Sequence, residues 1–290
     1  MSPDKSTTVR MIRSAFRVGE LVSPRLTARA ANALWFRLPP SRPVSAMPPG
    51  GTPFEVKVQR RTVRGMYWGD GPAVYLVHGW SGRGAQLGTY VEPLVARGHR
   101  VVLFDAPSHG SSDPGQSGPK STDALEFGRA LDAVAARFGP ASAVIAHSMG
   151  AMVSVLTFKY GWLSTDRLVL LAPMVRLSTQ RDAVWSALGV GPRTARAADR
   201  LMERRVGHPV SEFDLATLTT EVDQVPTLIV HDLNDPRTSY DESVQLAADL
   251  PAQLMTTVGL GHQGILRDPK VMNTVVEFVG DRDEEEMVAA

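Results

Sequence analysis

Apolar residues near the start of the chain recur at intervals of three to five positions, at Val9, Ile12, Phe16, Leu21, Leu26, Ala30 and Leu34, until Pro39 and Pro40 interrupt them. That spacing predicts helix over residues 8–37. The stretch from Pro39 to Pro53, rich in Pro, Gly and Ser, reads as a linker. From Phe54 the period changes. Phe54, Val56 and Val58, then Val63, Met66 and Trp68, suit two antiparallel strands at a sheet edge. Ala73 to Val77 is apolar at every position, the pattern of a strand covered on both faces.

Beyond this point strand-like and helix-like segments take turns: strands over 100–104, 141–146 and 167–171, with helices over 121–138 and 150–160. Such alternation predicts right-handed βαβ units, a mostly parallel sheet and an α/β fold. Residues 173–224 break the rhythm with Arg-rich helical stretches near 182–188 and 194–205. It resumes with a strand over 226–231, a helix near 239–250, a short strand near 253–257 and a helix over 269–279. The expected organisation is a basic helical arm and linker (1–50), a core (51–173 and 225–282), a helical insertion (174–224) and an acidic tail (283–290). No internal repeat or low-complexity segment is present.

Composition narrows the chemistry. A chain of 290 residues with 43% apolar and 21% charged residues is long enough to bury a large core and is ordinary for a globular protein. The absence of cysteine excludes disulfides, zinc-thiolate sites and cysteine nucleophiles together. The net charge of +1 conceals an asymmetry: residues 1–50 carry eight Lys or Arg against Asp4 and Glu20, whereas Asp281, Asp283 and Glu284 to Glu286 crowd the tail. The expectation for the basic arm is a solvated helical face; contact with a membrane surface or nucleic acid is the alternative. No run approaches the roughly 18 apolar residues of a membrane span. Ala30 to Phe36 is a short apolar piece bracketed by arginines without a small-residue cleavage signal, so a soluble, cytoplasmic protein is expected.

Three residues capable of covalent acyl chemistry fall just past strand ends. Ser148 lies in "VIAHSMGAM" after the strand over 141–146, Asp235 in "LIVHDLNDPRTSY" after 226–231, and His262 in "VGLGHQGIL" after 253–257. Open α/β sheets bind ligands at that edge. A serine hydroxyl needs a base to take its proton, and the base needs a third group to fix its tautomer. Asp232, three residues before Asp235, competes for that third role.

With these motifs the chain, from about Val56 to Val279, resembles the α/β-hydrolase family. That family's nucleophile elbow is G-x-S-x-G and its triad order is Ser, acid, His. Here the elbow is Ala146-His147-Ser148-Met149-Gly150, with alanine for the first glycine. The resemblance implies Ser148, Asp235 and His262 as catalytic residues, and it favours Asp235 because the family writes that loop G-x-x-D, with Asp232 at the glycine. "VHGWSG" implies that Trp80 donates its backbone N–H to the oxyanion, with Met149 as second donor. "DAPSHGSSD" resembles the family's D-x-x-G-H-G-x-S, with Ser108 for a glycine, and shapes a loop.

The segment from about Met174 to Gln224 occupies the place of the family's cap. Val184, Trp185, Leu188 and Val190 there, with Trp80, are expected to line an acyl pocket; Trp80, Trp185 and Leu188 are the substrate-binding candidates. The resemblance therefore implies a serine hydrolase of small carboxylic esters with short- to medium-chain acyl groups. Lactonase, thioesterase, amidase or peptidase chemistry on the same triad is the alternative, followed by a non-catalytic binding protein of this fold. No cofactor is implied: no His/Asp/Glu cluster has metal spacing, and the glycines near 79–84 lack the Gly-Lys-Ser/Thr of a phosphate loop. His78, His109 and His147 are expected to hold loops through hydrogen bonds. His99, His208 and His231 carry no signal.

Overall fold

Uninterrupted apolar runs form the middle of one sheet in the computed structural model, which describes residues 5–39, 46–221, 223–250 and 252–280. Positions 40–45 of the expected linker and the expected acidic tail lie outside the described residues. The chain opens with α1 (Lys5–Val22), α2 (Pro24–Trp35), β1 (Thr52–Val58), β2 (Arg61–Trp68) and β3 (Ala73–Val77). A 3-10 segment over Gly84–Tyr90 leads into α3 (Val91–Ala96), followed by β4 (Arg100–Asp105), α4 (Ala124–Phe138), β5 (Ala141–His147), α5 (Met149–Lys159) and β6 (Leu168–Leu171). Then come α6 (Leu177–Leu188), α7 (Pro192–Val206) and α8 (Leu215–Leu218). The last elements are β7 (Thr227–Asp232), α9 (Tyr240–Asp249), β8 (Ala252–Thr257), α10 (Gly261–Gly264) and α11 (Pro269–Gly280). No helix among the described residues is long and apolar enough to cross a membrane.

The chain forms two compact units. The larger, Leu38–Val175 with Leu218–Ala290, holds the sheet, in the order β1-β2-β4-β3-β5-β6-β7-β8. β1, β2 and β4 pair antiparallel, and every pair from β4/β3 to β7/β8 is parallel. The chain winds outward from β3 in both directions, so the order reverses between β3 and β5. Their carboxyl ends therefore lie side by side at a topological switch point, where open sheets build their sites. Val74, Leu76, Val101, Leu103, Ile145, Val169 and Val230 are wholly buried on one face against Leu94, Val271 and Val275.

The smaller unit, Met1–Arg37 with Arg176–Thr217, is helical and has its own core. The expectation of a separate N-terminal arm differs from this arrangement, and amphipathicity explains why. Phe16, Ala28, Ala31 and Phe36 from α1, α2 and the turn after them close on Trp185, Ala197, Ala198 and Met202 from α6 and α7. Neither pair of helices could bury its apolar stripe alone. The single helix expected over 8–37 is divided at Ser23, because Pro24 opens α2 in a position where its missing N–H costs nothing.

Candidate active site

Ser148 sits where β5 ends and α5 begins, in a backbone conformation (φ 56°, ψ −121°) that an L-residue rarely adopts. Its N–H still donates to Leu171 O at 3.0 Å, the last rung toward β6, while its own carbonyl already accepts from Ala151 N. The chain reverses within one residue. Such a turn requires bare backbone beside it, and a Cβ on Gly150 would stand 2.6 Å from both Val77 O and His78 O. Likewise a Cβ on Gly79 would come within 2.9 Å of Ser148 Cβ. Both glycines are there because the loop after β3 packs directly on the elbow.

That loop brings Trp80 beside the site. Trp80 is partly exposed and meets His109 edge-on, with ring centroids 6.0 Å apart. His78 and His109 hold the loop as neutral rings: His78 Nε2 accepts from Ala106 N at 3.1 Å, and His109 Nε2 accepts from Ser81 N at 3.1 Å. Burial lowers both; His109, with His78 also opposing its charge, falls to about 3. Ser108 takes the left-handed conformation of the glycine it replaces (φ 64°), and its hydroxyl ties Gly115, Gly118 and Ser121 into the loop. Met149 is the first residue of α5, so its N–H lies among those a helix leaves without an internal partner.

β7 and β8 supply the remaining groups. His262 Nε2 lies 3.0 Å from Ser148 Oγ, and His262 Nδ1 lies 2.7 Å from Asp235 Oδ2. Ser148 and His262 are 7% and 6% exposed, so this contact is nearly dry. Asp235 Oδ1 accepts from the N–H groups of Arg237 and Thr238 at 2.7 and 3.3 Å, while Oδ2 also faces the Thr238 hydroxyl at 3.0 Å. Burial pushes the Asp235 carboxyl up, but hydrogen bonds from His231 and His262 outweigh it and hold the group well below the carboxylate range.

Asp232 does different work. Its Oδ1 accepts from Asn234 N at 3.0 Å, and its Oδ2 from Thr257 Oγ1 at 2.8 Å and Leu260 N at 2.9 Å. The carboxylate clamps the turn that carries His262, at the position the family gives to glycine. Of the two aspartates, Asp235 is the one against His262.

Two neighbours had no sequence signal or only a general one. His231 is wholly buried: Nδ1 meets Ser243 Oγ at 2.6 Å, and Nε2 meets Thr238 Oγ1 at 3.2 Å and Asp235 Oδ2 at 3.4 Å. It stands behind Asp235 as a brace, four residues earlier in the chain, and only closure of the loop between them reveals it. His147 Nε2–H donates to the backbone carbonyl of His262 at 2.9 Å, and burial, with His262 beside it, lowers its pKa to about 3. Trp185, expected to line an acyl pocket, is 4% exposed in the helical unit, packed on Trp35 at 5.8 Å between centroids, with Leu188 against the same core. Packing accounts for its size. Among the described residues no three His, Asp or Glu side chains gather as metal ligands would.

Residues 74–283 match the model of the alpha/beta hydrolase family. A search of curated protein sequences gave no significant match. Among solved structures, the chain is similar to an esterase from Pyrococcus furiosus (17% identity, TM-score 0.63, covering 84% of this chain and 97% of that one). It is also similar to a thioesterase domain from the curacin biosynthetic pathway (19%, 0.58, 79% and 99%) and to an enzyme that degrades N-acyl homoserine lactones (16%, 0.58, 77% and 98%). At such identities the likeness speaks for the fold alone. The family model spans most of the chain, including every strand from β3 onward, and the chain belongs to the alpha/beta hydrolase family.

Proposed function

We propose that the protein is a serine hydrolase of carboxylic esters with short- to medium-chain acyl groups. Ser148 is the nucleophile, His262 the general base and then acid, and Asp235 the group that orients His262. The observation that carries this reading is the continuous contact from Ser148 Oγ to His262 Nε2 (3.0 Å) and from His262 Nδ1 to Asp235 Oδ2 (2.7 Å).

As Ser148 Oγ bonds to the acyl carbon, its proton passes to His262 Nε2, and Asp235 stabilises the imidazolium through Nδ1–H. The carbonyl oxygen becomes an oxyanion, received by the N–H groups of Trp80 and Met149, with the positive end of the α5 dipole behind the latter. Loss of one such donor costs about 2.7–4 kcal/mol of transition-state stabilisation. The intermediate collapses, His262 returns the proton to the leaving alcohol, and a water activated by the same His262 Nε2 clears the acyl-enzyme.

Trp80 supports an apolar acyl wall. Lactone and thioester carbonyls would follow the same steps, and the structures similar to this chain include a thioesterase domain and an enzyme that degrades N-acyl homoserine lactones. The test is a panel of acetate, butyrate, octanoate and dodecanoate esters beside an N-acyl homoserine lactone and an acyl thioester. The highest kcat/KM is expected on butyrate or octanoate. Equal rates at every chain length would remove the acyl-length assignment, and a lactone or thioester cleaved faster than every ester would replace the ester reading.

A further inference from the structure

The helical unit carries a surface that hydrolysis does not use. α1 and α2 meet in a tight corner: Ser23 N donates to Gly19 O, Thr27 Oγ1 donates to Ser23 O at 3.0 Å, and a Cβ on Gly19 would strike the Thr27 side chain. At this corner Val18, Leu21, Val22 and Leu26 are 60, 81, 78 and 61% exposed. Apolar side chains are not forced outward here by a lack of polar alternatives; four of them together form a patch of the kind that marks an interaction site.

Beside it runs an arginine cleft. One cavity of about 430 Å³ is lined by Val22, Ser23 and Pro24 together with Arg25, Arg193, Arg196 and Arg200. A second, of about 310 Å³, continues between α2 and α7 past Arg25, Arg29, Arg200 and Arg204. All six arginines are exposed, and among the described residues no acidic side chain lines either cavity. Glu20, a carboxylate at the corner, is occupied: it accepts from Arg193 N at 3.0 Å and Thr194 N at 2.9 Å, capping α7 and fixing that helix to the corner.

We infer that this face docks on an anionic lipid bilayer, the corner aliphatics entering the headgroup boundary while the arginines meet phosphate. Exposed aliphatics beside a dense cationic face are what an interfacial helix needs. Other occupants fit less well. A second copy of the face would bring arginine against arginine. A soluble polyanion would leave the aliphatic corner without a role. Single-stranded nucleic acid is gripped by aromatic platforms, and the corner offers only Val and Leu.

The test is co-sedimentation of the full chain with phosphatidylcholine vesicles and with phosphatidylcholine–phosphatidylglycerol vesicles. Partition onto the anionic vesicles should exceed that onto neutral ones by at least about tenfold and fall as NaCl is raised. Both Leu21→Asp/Leu26→Asp and Arg25→Glu/Arg196→Glu/Arg200→Glu should reduce it by at least about tenfold, with circular dichroism and thermal midpoint unchanged. The lipid and salt dependence of the unmodified protein reads the charge contribution even if a variant fails to fold. No partition, or equal partition onto neutral vesicles, would overturn the inference. So would arginine variants that lose binding while the leucine variant keeps it, which marks a cleft for a soluble polyanion or nucleic acid. Self-association abolished by Leu21→Asp/Leu26→Asp would assign the corner to a second copy instead.

Discussion

Replacing Asp235 by Asn changes one atom and should silence the enzyme through a tautomer. The loop fixes which way the amide must point: Oδ1 accepts two backbone N–H groups, from Arg237 at 2.7 Å and Thr238 at 3.3 Å. An amide nitrogen there would face two donors, so the carbonyl oxygen takes that side and the NH2 turns to His262 Nδ1. Nδ1 must then accept, the ring proton moves to Nε2, and Nε2 can no longer take the proton of Ser148, 3.0 Å away. The loss expected is about 10⁴ in kcat, or about 5.4 kcal/mol, with KM little changed because Asp235 is buried and meets no substrate. Asp232→Asn is the control. All its partners donate, so the amide leaves one backbone N–H unsatisfied, at a cost of about 1–3 kcal/mol in stability. Its activity per folded molecule should stay within about tenfold of the unmodified enzyme, the size of effect that 1.36 kcal/mol on the barrier would bring. Steady-state kinetics on a butyrate ester, with folding checked by circular dichroism, decides the matter. An Asp235→Asn enzyme within about tenfold of the original, or an Asp232→Asn enzyme that loses more, would refute the reasoning.

Gly150→Ala should destabilise the fold by about 1–3 kcal/mol, because the new Cβ meets two backbone carbonyls that cannot rotate away; urea unfolding reads the change, and an unshifted midpoint would contradict it. Ser148→Gly should abolish hydrolysis yet relieve roughly 1 kcal/mol of backbone strain at φ 56°, visible as a higher thermal midpoint. His109 and His147 are held neutral by burial, each at about 3. Their folded pKa lies below the unfolded value of about 6.5, so their contribution is complete above that pH and is lost as pH falls toward about 3. Two protons taken up on unfolding correspond to about 2.7 kcal/mol per pH unit near pH 5, and urea unfolding at pH 7, 6 and 5 should show that decline rather than a plateau. Asp113, held at about 2 by Arg64 and Thr62, adds a later step: its contribution is complete above about 3.9 and lost through about 2, and Asp113→Asn should flatten the acid limb there.

The central strands were legible because burial on both faces leaves an unbroken apolar run, and Ser148 and Asp235 were legible because such runs end just before them; His262 follows the half-buried edge strand β8, where the Gly-His pair before the last helix was the clearer mark. The pairing of α1 and α2 with α6 and α7 was not. An amphipathic stripe says that a helix must be covered, never by which partner, so Trp185 reads equally as pocket wall or as core. The helical stretch from Gly84 to Ala96 escaped a period-based reading because Gly88 and Pro93 interrupt it. The brace of His231 and Thr238 behind Asp235 exists only once the β7 loop folds back, and spacing along the chain carries no trace of it. Asp232 shows the reverse case. The family pattern separated it from Asp235, and the hydrogen bonds give the physical reason: its oxygens are filled by the turn before His262.

The central claim is an activated Ser148, and reaction with a fluorophosphonate probe followed by mass spectrometry tests it most directly. The expected result is a single adduct on Ser148, absent from the Ser148→Ala protein. An adduct on another residue, or none on a folded protein, would contradict the account.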